Sequence, residues 1–193
     1  MGKVVVVTGI PGVGKTTVLS ELEKLASERG MRIKVVNFGT VMMELAKGAV
    51  PDRDQMRKMP LDFQRKLQRK AADKIAGEAE GVDVLIVDTH MFIRTRNGFW
   101  PGLPAGVLEK LSPSALVLVE ASVKEVAERR AQDKTRSRDM VLEEEVKLEL
   151  QASRSFATAC SVLTGAPVKI VQNPAGGARE AAEELINLLR DIL

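Results

Sequence analysis

The sequence contains few of the residues on which several common classes of site depend. Among its 193 residues it has one cysteine, one histidine, one tryptophan and no tyrosine, and aromatic side chains make up 3%. A single cysteine, Cys160, excludes an intramolecular disulfide and a zinc site built from several cysteines. A single histidine, His90, excludes a histidine-rich metal site. So few aromatic rings also argue against a surface on which successive nucleic-acid bases stack.

Long apolar runs and a strong charge imbalance are missing as well. No apolar run approaches the roughly 18–20 residues that a membrane span needs, and no signal-peptide pattern opens the sequence. We therefore expect a cytoplasmic protein without a membrane partner. The net charge of +3, with acids and bases interspersed, disfavours a broad nucleic-acid-binding surface. A chain of 193 residues that is 45% hydrophobic predicts one domain with a sizeable core.

Apolar strands alternate with amphipathic helices along the chain. This succession predicts an α/β fold in which helices cover both faces of a parallel sheet. The predicted strands are Val4–Thr8, Ile33–Asn37, Val84–Asp88, Ala115–Glu120 and Val168–Gln172. The predicted helices lie near 15–28, 39–48, 61–80, 104–111, 122–133, 141–164 and 177–192. Two segments are predicted to be loops, Asp88–Pro104 and Lys134–Met140.

The most specific motif follows the first predicted strand. Residues 9–16 fit G-x-x-x-x-G-K-S/T, a loop whose backbone N–H groups and following helix bind nucleoside triphosphate phosphates. Lys15 can reach the β- and γ-phosphates, and the Thr16 hydroxyl can bind Mg²⁺. The alternative is a glycine turn with a surface lysine. The predicted phosphate-binding residues are Thr8, Gly9, Ile10, Pro11, Gly12, Val13, Gly14, Lys15, Thr16 and Thr17.

Two later segments suit the same ligand. Asp88 ends an apolar strand and can hold Mg²⁺ through water, opposite Thr16, although aspartates at strand ends also serve turns. The segment 129–139 is dense in basic residues. Guanidinium groups suit the charge that spreads over the γ-oxygens during phosphoryl transfer, whereas the alternative is a solvated helix end that favours basic residues. That alternative suits Arg129 and Arg130 but explains Arg136 and Arg138 poorly, because they lie in a predicted loop. The predicted catalytic residues are therefore Lys15, Arg136 and Arg138.

The segment after the second strand and the predicted loop 88–104 are candidates for binding a phosphate acceptor. Thr40 can instead cap a helix, residues 52–58 can be a solvated turn, and His90 can make a purely structural hydrogen bond. Trp100 is interpreted as loop packing. The candidate acceptor residues are Asn37, Gly39, Thr40, Arg57, His90 and Arg94. Which of the arginines meets the acceptor phosphate is open among Arg53, Arg57, Arg94 and Arg96.

Taken together, these segments resemble archaeal-type adenylate kinases, a compact branch of the P-loop nucleoside monophosphate kinases. The resemblance runs in order along essentially the whole chain, which makes it more specific than the phosphate loop alone. The segments that carry it are 6–16 (VVTGIPGVGKT), 37–42 (NFGTVM), 52–58 (DRDQMRK), 87–90 (VDTH), 102–104 (GLP), 129–139 and 162–170 (VLTGAPVKI).

The resemblance implies reversible transfer of phosphate from ATP–Mg²⁺ to AMP, giving two ADP. It also implies a cytoplasmic homotrimer, and a three-layer αβα fold with a five-stranded parallel sheet in the order 2-3-1-4-5. Within the single domain 1–193 it implies an acceptor-binding helical segment, 38–80, and a short lid, 130–141. Carried over, Gly9–Thr16 bind the ATP phosphates, Arg57 meets the AMP phosphate, and Arg129, Arg136 and Arg138 contact ATP and the migrating group. A kinase of UMP or CMP and a non-catalytic nucleotide-binding module are the alternatives.

Overall fold

A computed structural model of the chain describes residues 2–95, 98–132 and 143–193. Within these ranges, five parallel strands form one sheet and two antiparallel strands form a separate hairpin. The sheet strands are β1 (Lys3–Thr8), β2 (Ile33–Asn37), β3 (Val84–Asp88), β6 (Ala115–Glu120) and β7 (Val168–Gln172). The hairpin strands are β4 (Phe92–Thr95) and β5 (Gly98–Pro101).

The strands of the sheet lie in the order β2-β3-β1-β6-β7. The labels β6 and β7 stand where the prediction has strands 4 and 5, because the two hairpin strands are numbered β4 and β5. Counted along the chain without the hairpin, the sheet has the order 2-3-1-4-5, and the predicted three-layer α/β fold class is confirmed. The continuous β-branched run of β1 is explained by its central place, since β3 and β6 pair with it on either side.

The prediction that residues 88–104 form a loop is wrong, because the hairpin β4–β5 lies within them. Phe92 and Phe99 pack with their ring centroids 4.5 Å apart, which gives the short hairpin an apolar contact of its own. Gly98 has a φ of +109°, a conformation that glycine adopts without a steric penalty. The glycine, proline and arginine residues of this segment are typical of loops, so the sequence does not indicate the two short strands.

Eight helices are formed by the described residues. The predicted helices near 39–48 and 61–80 end earlier, at Leu45 and Gly77, and residues 53–58 form a short helix where a turn was the alternative. The Asp52 carboxylate accepts from the Gln55 amide at 2.8 Å and so begins that helix. The helices are α1 (Lys15–Glu28), α2 (Phe38–Leu45), α3 (Arg53–Lys58), α4 (Leu61–Gly77), α5 (Ala105–Leu111), α6 (Val123–Gln132), α7 (Glu143–Thr164) and α8 (Ala178–Ile192).

The core lies along both faces of the sheet. The valines of β1, residues 4–7, are buried, as are all five residues of β3. Helices α1 and α8 pack against each other, and Leu185, Ile186 and Leu189 of α8 are fully buried. None of the helices in the described ranges combines the length and the apolar character needed to cross a bilayer.

The parallel sheet gathers the polar ends of its strands at one edge. The strands β1, β2 and β3 end in Thr8, Asn37 and Asp88, and they are neighbours in the sheet. Ligands of such folds bind beyond the carboxyl ends of the strands. The loop 9–14, the start of α2 and the segment after Asp88 therefore meet at one place.

Candidate functional site

The loop between β1 and α1, residues 9–14, forms one wall of the candidate site. Gly12 and Gly14 have φ angles of +94° and +83°, in the left-handed region that side chains disfavour. Gly9 serves close packing, because a Cβ there would lie 2.7 Å from Val13 Cγ2 and 2.8 Å from the Val119 carbonyl oxygen. The path of the loop therefore depends on glycine at all three positions.

Side chains outside the loop donate to its carbonyl oxygens. Arg129 Nη1 donates to the Val13 carbonyl at 3.2 Å, and Asn173 Nδ2 donates to the same oxygen at 2.8 Å. Arg129 Nη2 also donates to the Asn173 backbone carbonyl at 3.2 Å, so the two residues support one another. In this structure Arg129 is thus a brace for the phosphate loop as well as a cation beside it.

Two further side chains hold the first half of the loop. Arg130 Nε donates to the Pro11 carbonyl at 2.7 Å. Nδ1 of His90 lies 3.0 Å from the Gly9 carbonyl oxygen, within hydrogen-bonding distance. Because these carbonyls already have partners, the groups that the loop can offer a ligand are its N–H groups, and successive N–H groups suit an anion.

The start of α1 adds donors of the same kind. Among the described residues no side chain caps this helix, and the first N–H groups of a helix have no acceptor within it. The amides of Thr17 and Val18 both donate to the Gly14 carbonyl at 3.1 Å, which leaves those of Lys15 and Thr16 for a ligand. The helix dipole favours negative charge at this end, so the position suits a phosphate.

Lys15 lies in the cleft and forms an ion pair with Oδ1 of Asp88. The other carboxylate oxygen, Oδ2, accepts from Asn37 Nδ2 at 2.7 Å. Burial lowers the pKa of the Lys15 ammonium to about 8. The three side chains meet because β3 lies between β1 and β2 in the sheet. A cation is thereby held beside the phosphate loop with both oxygens of its carboxylate partner oriented.

Thr16 and Asp88 supply the oxygen atoms that Mg²⁺ prefers. Both side chains line the same cleft, and carboxylate and hydroxyl oxygens are hard donors that fit this ion. Oδ2 of Asp88 accepts from Asn37, whereas Oδ1 is paired with the Lys15 charge but has no hydrogen-bond partner among the described residues. Both oxygens therefore keep lone pairs for further hydrogen bonds. The donor set therefore fits a Mg²⁺ ion that the carboxylate holds through water.

A second, narrower cavity adjoins the phosphate cleft. The two share part of their lining, in particular Asn37, Arg53, Arg57, Asp88 and His90. The cleft measures about 1030 Å³ and is lined by the phosphate loop and several cations. The narrower cavity has a largely apolar lining that includes Phe38, Met42, Met56, Ile93 and Trp100. An elongated anion and a flat, mostly apolar ring system fit side by side in this arrangement.

Asn37 organises the entrance to the narrower cavity. Its Oδ1 accepts from the Thr40 amide at 2.9 Å and so caps α2. Arg53 Nη2 donates to Asn37 Oδ1 at 3.1 Å and to the Thr40 hydroxyl at 2.8 Å. Arg57 pairs with Asp54 on the surface at 3.2 Å. Gly39 lines the cavity, whereas Thr40 is not among its lining residues and contributes through the cap.

Arg94 and Arg130 meet on the acidic side chains of α7. Arg94 Nη2 lies 3.0 Å from Glu145 Oε1, and its Nη1 lies 3.6 Å from Glu149 Oε1. The other oxygen of Glu149 accepts from Arg130 Nη2 at 2.5 Å. Glu149 and Arg130 are both buried. Glu149 therefore contacts Arg94 of the hairpin and Arg130 of α6, and Arg130 in turn binds the phosphate loop.

The structure does not bring every predicted residue to the cleft wall. Among the described residues, Thr8, Val13 and Thr17 do not line it: the Thr8 hydroxyl donates to the Val117 carbonyl at 3.0 Å, Val13 is buried, and Thr17 is exposed. Ile10, Pro11 and Gly12 line it with Lys15 and Thr16. The predicted residues Arg96, Arg136 and Arg138, and most of the predicted lid 130–141, lie outside the described residues.

Sequence reasoning missed three residues that shape the site. The sequence indicates Arg130 only as a basic residue at a helix end, and none of its motifs includes Asn173 or Glu149. Asn173 directly follows β7, and polar residues at strand ends are the signal that identified Asn37 and Asp88. Glu149 gave no comparable signal, because one acid in a charged helix is ordinary and its burial follows from tertiary packing.

Comparisons with known proteins agree with this geometry. A family model described as AAA domain matches residues 8–147. Adenylate kinase of Methanocaldococcus jannaschii is 45% identical over 97% of this chain and 98% of that protein. Adenylate kinase of Sulfurisphaera tokodaii is also 45% identical, over 96% and 98%. In fold, the chain resembles the crystal structure of TT1252 from Thermus thermophilus, with a TM-score of 0.57, 16% identity and 97% of each chain covered.

Proposed function

The chain belongs to the adenylate kinase family, and from that membership we propose that it transfers a phosphoryl group reversibly from ATP–Mg²⁺ to AMP, giving two ADP. The observation that carries the proposal is the junction between the phosphate cleft and the narrower cavity. Asn37, Arg53, Arg57, Asp88 and His90 line both. A donor and an acceptor can therefore be held with their phosphates towards each other.

On the donor side, the phosphates of ATP occupy the loop 9–14 and the start of α1. The amides of Lys15 and Thr16 donate to phosphate oxygens, while the Lys15 ammonium neutralises charge on the β- and γ-phosphates. The brace formed by Arg129 and Asn173 supports this role, because a loop held from outside keeps its N–H groups in place before the ligand arrives. Little reorganisation is then needed during transfer.

For phosphoryl transfer the protein has to position the two nucleotides and neutralise charge, and it needs to supply little covalent chemistry. A dianionic phosphate is already a nucleophile at neutral pH, so we assign no general base. Thr16, and Asp88 through water, would hold Mg²⁺, which would supply further neutralisation of the phosphate charge. We propose Lys15, Arg129, Arg136 and Arg138 as the catalytic residues of the chain, acting on the same charge.

On the acceptor side, Arg53 and Arg57 are the best-placed cations for the AMP phosphate. Both line the cleft and the narrower cavity, whereas Arg94 lines the cleft alone and also faces the buried Glu149. The ion pair of Arg57 with Asp54 is exposed on both sides, so it is cheaply exchanged for a phosphate. Asn37, Gly39 and His90 lie along the path of the bound nucleoside.

Three broader properties belong to the same proposal. We place the protein in the cytoplasm and propose a homotrimer, as the family resemblance implies. Its ligands are ATP, AMP and ADP, and we propose no nucleic-acid partner, consistent with a net charge of +3 spread over both signs. Sedimentation of the full chain tests the assembly, because a monomeric mass would contradict the trimer.

Incubation of the protein with ADP and Mg²⁺ tests the reaction directly. We expect ATP and AMP to appear in equal amounts, since two ADP disproportionate in the reverse direction, and addition of EDTA should stop the reaction. The forward rates with AMP, CMP, UMP and GMP under saturating ATP then identify the acceptor. Inertness towards ADP would leave a non-catalytic nucleotide-binding module, and a preference for UMP or CMP would contradict the assignment.

A further inference from the structure

A buried glutamine in the narrower cavity has an unused hydrogen-bond acceptor. Gln68 lies on the inner face of α4, is 7% exposed and lines the cavity. Its Oε1 has no hydrogen-bond partner among the described residues. Leaving a buried polar atom unpaired costs free energy, so an unpaired oxygen at a ligand cavity calls for an explanation.

The neighbours of Gln68 fix which way its amide points. Nε2 lies 3.3 Å from the Pro101 carbonyl oxygen and 3.5 Å from that of Gly102. Both neighbours are acceptors, so the reversed amide would place oxygen against oxygen, and the NH₂ group must face them. The Gly102 amide in turn donates to the Met91 carbonyl at 2.8 Å, which fixes this segment after the hairpin. The acceptor Oε1 is therefore what Gln68 can offer a ligand.

The surroundings of Gln68 suit a base. Phe38, Met42, Ile93 and Trp100 line the same cavity with apolar surface. Arg53 and Arg57 line it too and also face the phosphate cleft. A nucleoside monophosphate whose phosphate lies near the two arginines thus directs its base into the apolar part. An apolar cavity with a few placed polar groups is the usual form of such a site.

We propose that Gln68 is a specificity-determining residue, whose Oε1 accepts a hydrogen bond from the 6-amino group of the acceptor purine. This inference rests on the proposed function. An amino group at this position is a donor and satisfies Oε1, whereas the 6-oxo group of guanine or hypoxanthine sets one acceptor against another. Gln68 thereby selects adenine over 6-oxopurines without any charged contact to the base.

The test compares three acceptors that differ at the 6-position of the purine. AMP carries the 6-amino group, purine riboside 5′-monophosphate carries hydrogen there, and IMP carries oxygen together with a proton on N1. The comparison of AMP with purine riboside monophosphate, which changes the 6-substituent alone, is therefore the decisive one. For the wild-type protein we expect kcat/KM with AMP to exceed that with purine riboside monophosphate by about 10- to 100-fold, the usual effect of one unpaired buried polar group. IMP should be poorer still, because its oxygen opposes Oε1.

Gln68→Met removes the acceptor while nearly keeping the side-chain volume. In this variant we expect AMP and purine riboside monophosphate to become nearly equal, mainly through loss of activity with AMP. The matched control is Gln64→Met, one turn earlier on α4. Gln64 lines the same cavity, but it has no unpaired buried atom among the described residues, and its Nε2 donates to the Met59 carbonyl at 2.8 Å. That variant should keep the wild-type ratio between the two acceptors, whatever its absolute rate. Circular-dichroism melting curves establish that both variants fold.

Equilibrium binding of the same three monophosphates, measured without ATP, separates this inference from the proposed function. A wild-type protein that binds AMP preferentially but transfers no phosphate would refute the proposed function and support the role of Gln68. Equal wild-type affinity for AMP and purine riboside monophosphate would overturn the inference, even if Gln68→Met failed to fold. A wild-type ratio that persists in Gln68→Met, or disappears in Gln64→Met, would also overturn it.

Discussion

The ion pair between Arg130 and Glu149 gives a sharp prediction about how the phosphate loop is held. Both residues are buried, with 6% and 8% of their surfaces exposed, and their nearest charged atoms lie 2.5 Å apart. Arg130 also donates to the Pro11 carbonyl at 2.7 Å. Removing Arg130 therefore leaves a buried carboxylate with Arg94, 3.6 Å from its other oxygen, as its remaining cation.

We expect Arg130→Met to lower the free energy of unfolding by about 3 kcal/mol, since removal of one partner from a buried pair typically costs about 3–5 kcal/mol and Arg94 compensates in part. For a chain of this length the melting temperature should fall by roughly 10 °C. Glu149→Met should lower the free energy of unfolding by a similar amount, because it leaves the buried Arg130 guanidinium without its carboxylate partner. The double variant leaves neither charge buried without a partner. We therefore expect its loss of unfolding free energy to be smaller than the sum of the two single losses by about 2 kcal/mol or more.

Urea unfolding of the four proteins measures this coupling, and the Michaelis constant for ATP shows whether the loop is disturbed. We expect Arg130→Met to weaken ATP binding, since Pro11 loses its donor, whereas Lys124→Met at an exposed position of the same helix serves as the control. Strictly additive costs in the double variant would refute the reasoning, because they would mean that the two charges do not interact through their contact.

Three further predictions concern the phosphate loop itself. Lys15→Met should lower kcat by about 10²–10³-fold, the usual loss when one group that stabilises the developing charge is removed. The control Lys24→Met, on the exposed face of α1, should leave kcat unchanged. A coupled spectrophotometric assay measures both variants. Burial lowers the pKa of Lys15 to about 8, and the negative charge of a bound triphosphate should raise it again. ATP binding should therefore take up a proton above pH 8. Calorimetric affinity should then weaken by about tenfold per pH unit in that range, and a flat profile would contradict a proton-linked Lys15. Gly9→Ala should lower the free energy of unfolding by about 1–3 kcal/mol through overpacking against Val13 and Val119, whereas Gly77→Ala, whose added Cβ would meet nothing within 4 Å, should cost nothing in urea unfolding.

The sheet could be predicted from the sequence because its strands are long apolar runs that end in polar residues. Val84–Asp88 was predicted with the bounds that the structure gives, and its last residue lies beside the phosphate loop as expected for parallel neighbours. The hairpin could not be predicted in the same way. Its strands have four residues each, and their stability comes from contacts such as Phe92 with Phe99 that no periodicity reveals.

The parts of the site that depend on tertiary contacts escaped the sequence for a related reason. Arg94 is a candidate for the acceptor phosphate on its chemistry alone, and its contact with Glu145, which lies 51 positions away, could not be predicted from the sequence. Gln68 is an unremarkable glutamine in a charged helix until its burial and its two carbonyl neighbours are known. Motifs identify a residue when local spacing creates the chemistry. They miss it when the fold brings distant residues together.

Burial separates the cations around the cleft into two groups with different roles. Each of the described cations that line the cleft has a protein partner. Binding a polyphosphate therefore exchanges these partners for phosphate oxygens. Exchange is cheap for Arg57, whose pair with Asp54 is solvent-exposed and worth about 0–1 kcal/mol. It is costly for Arg130, because departure would strand the buried Glu149. Arg57 is therefore suited to bind and release a substrate in each turnover, and Arg130 is suited to stay in place and keep the phosphate loop ready.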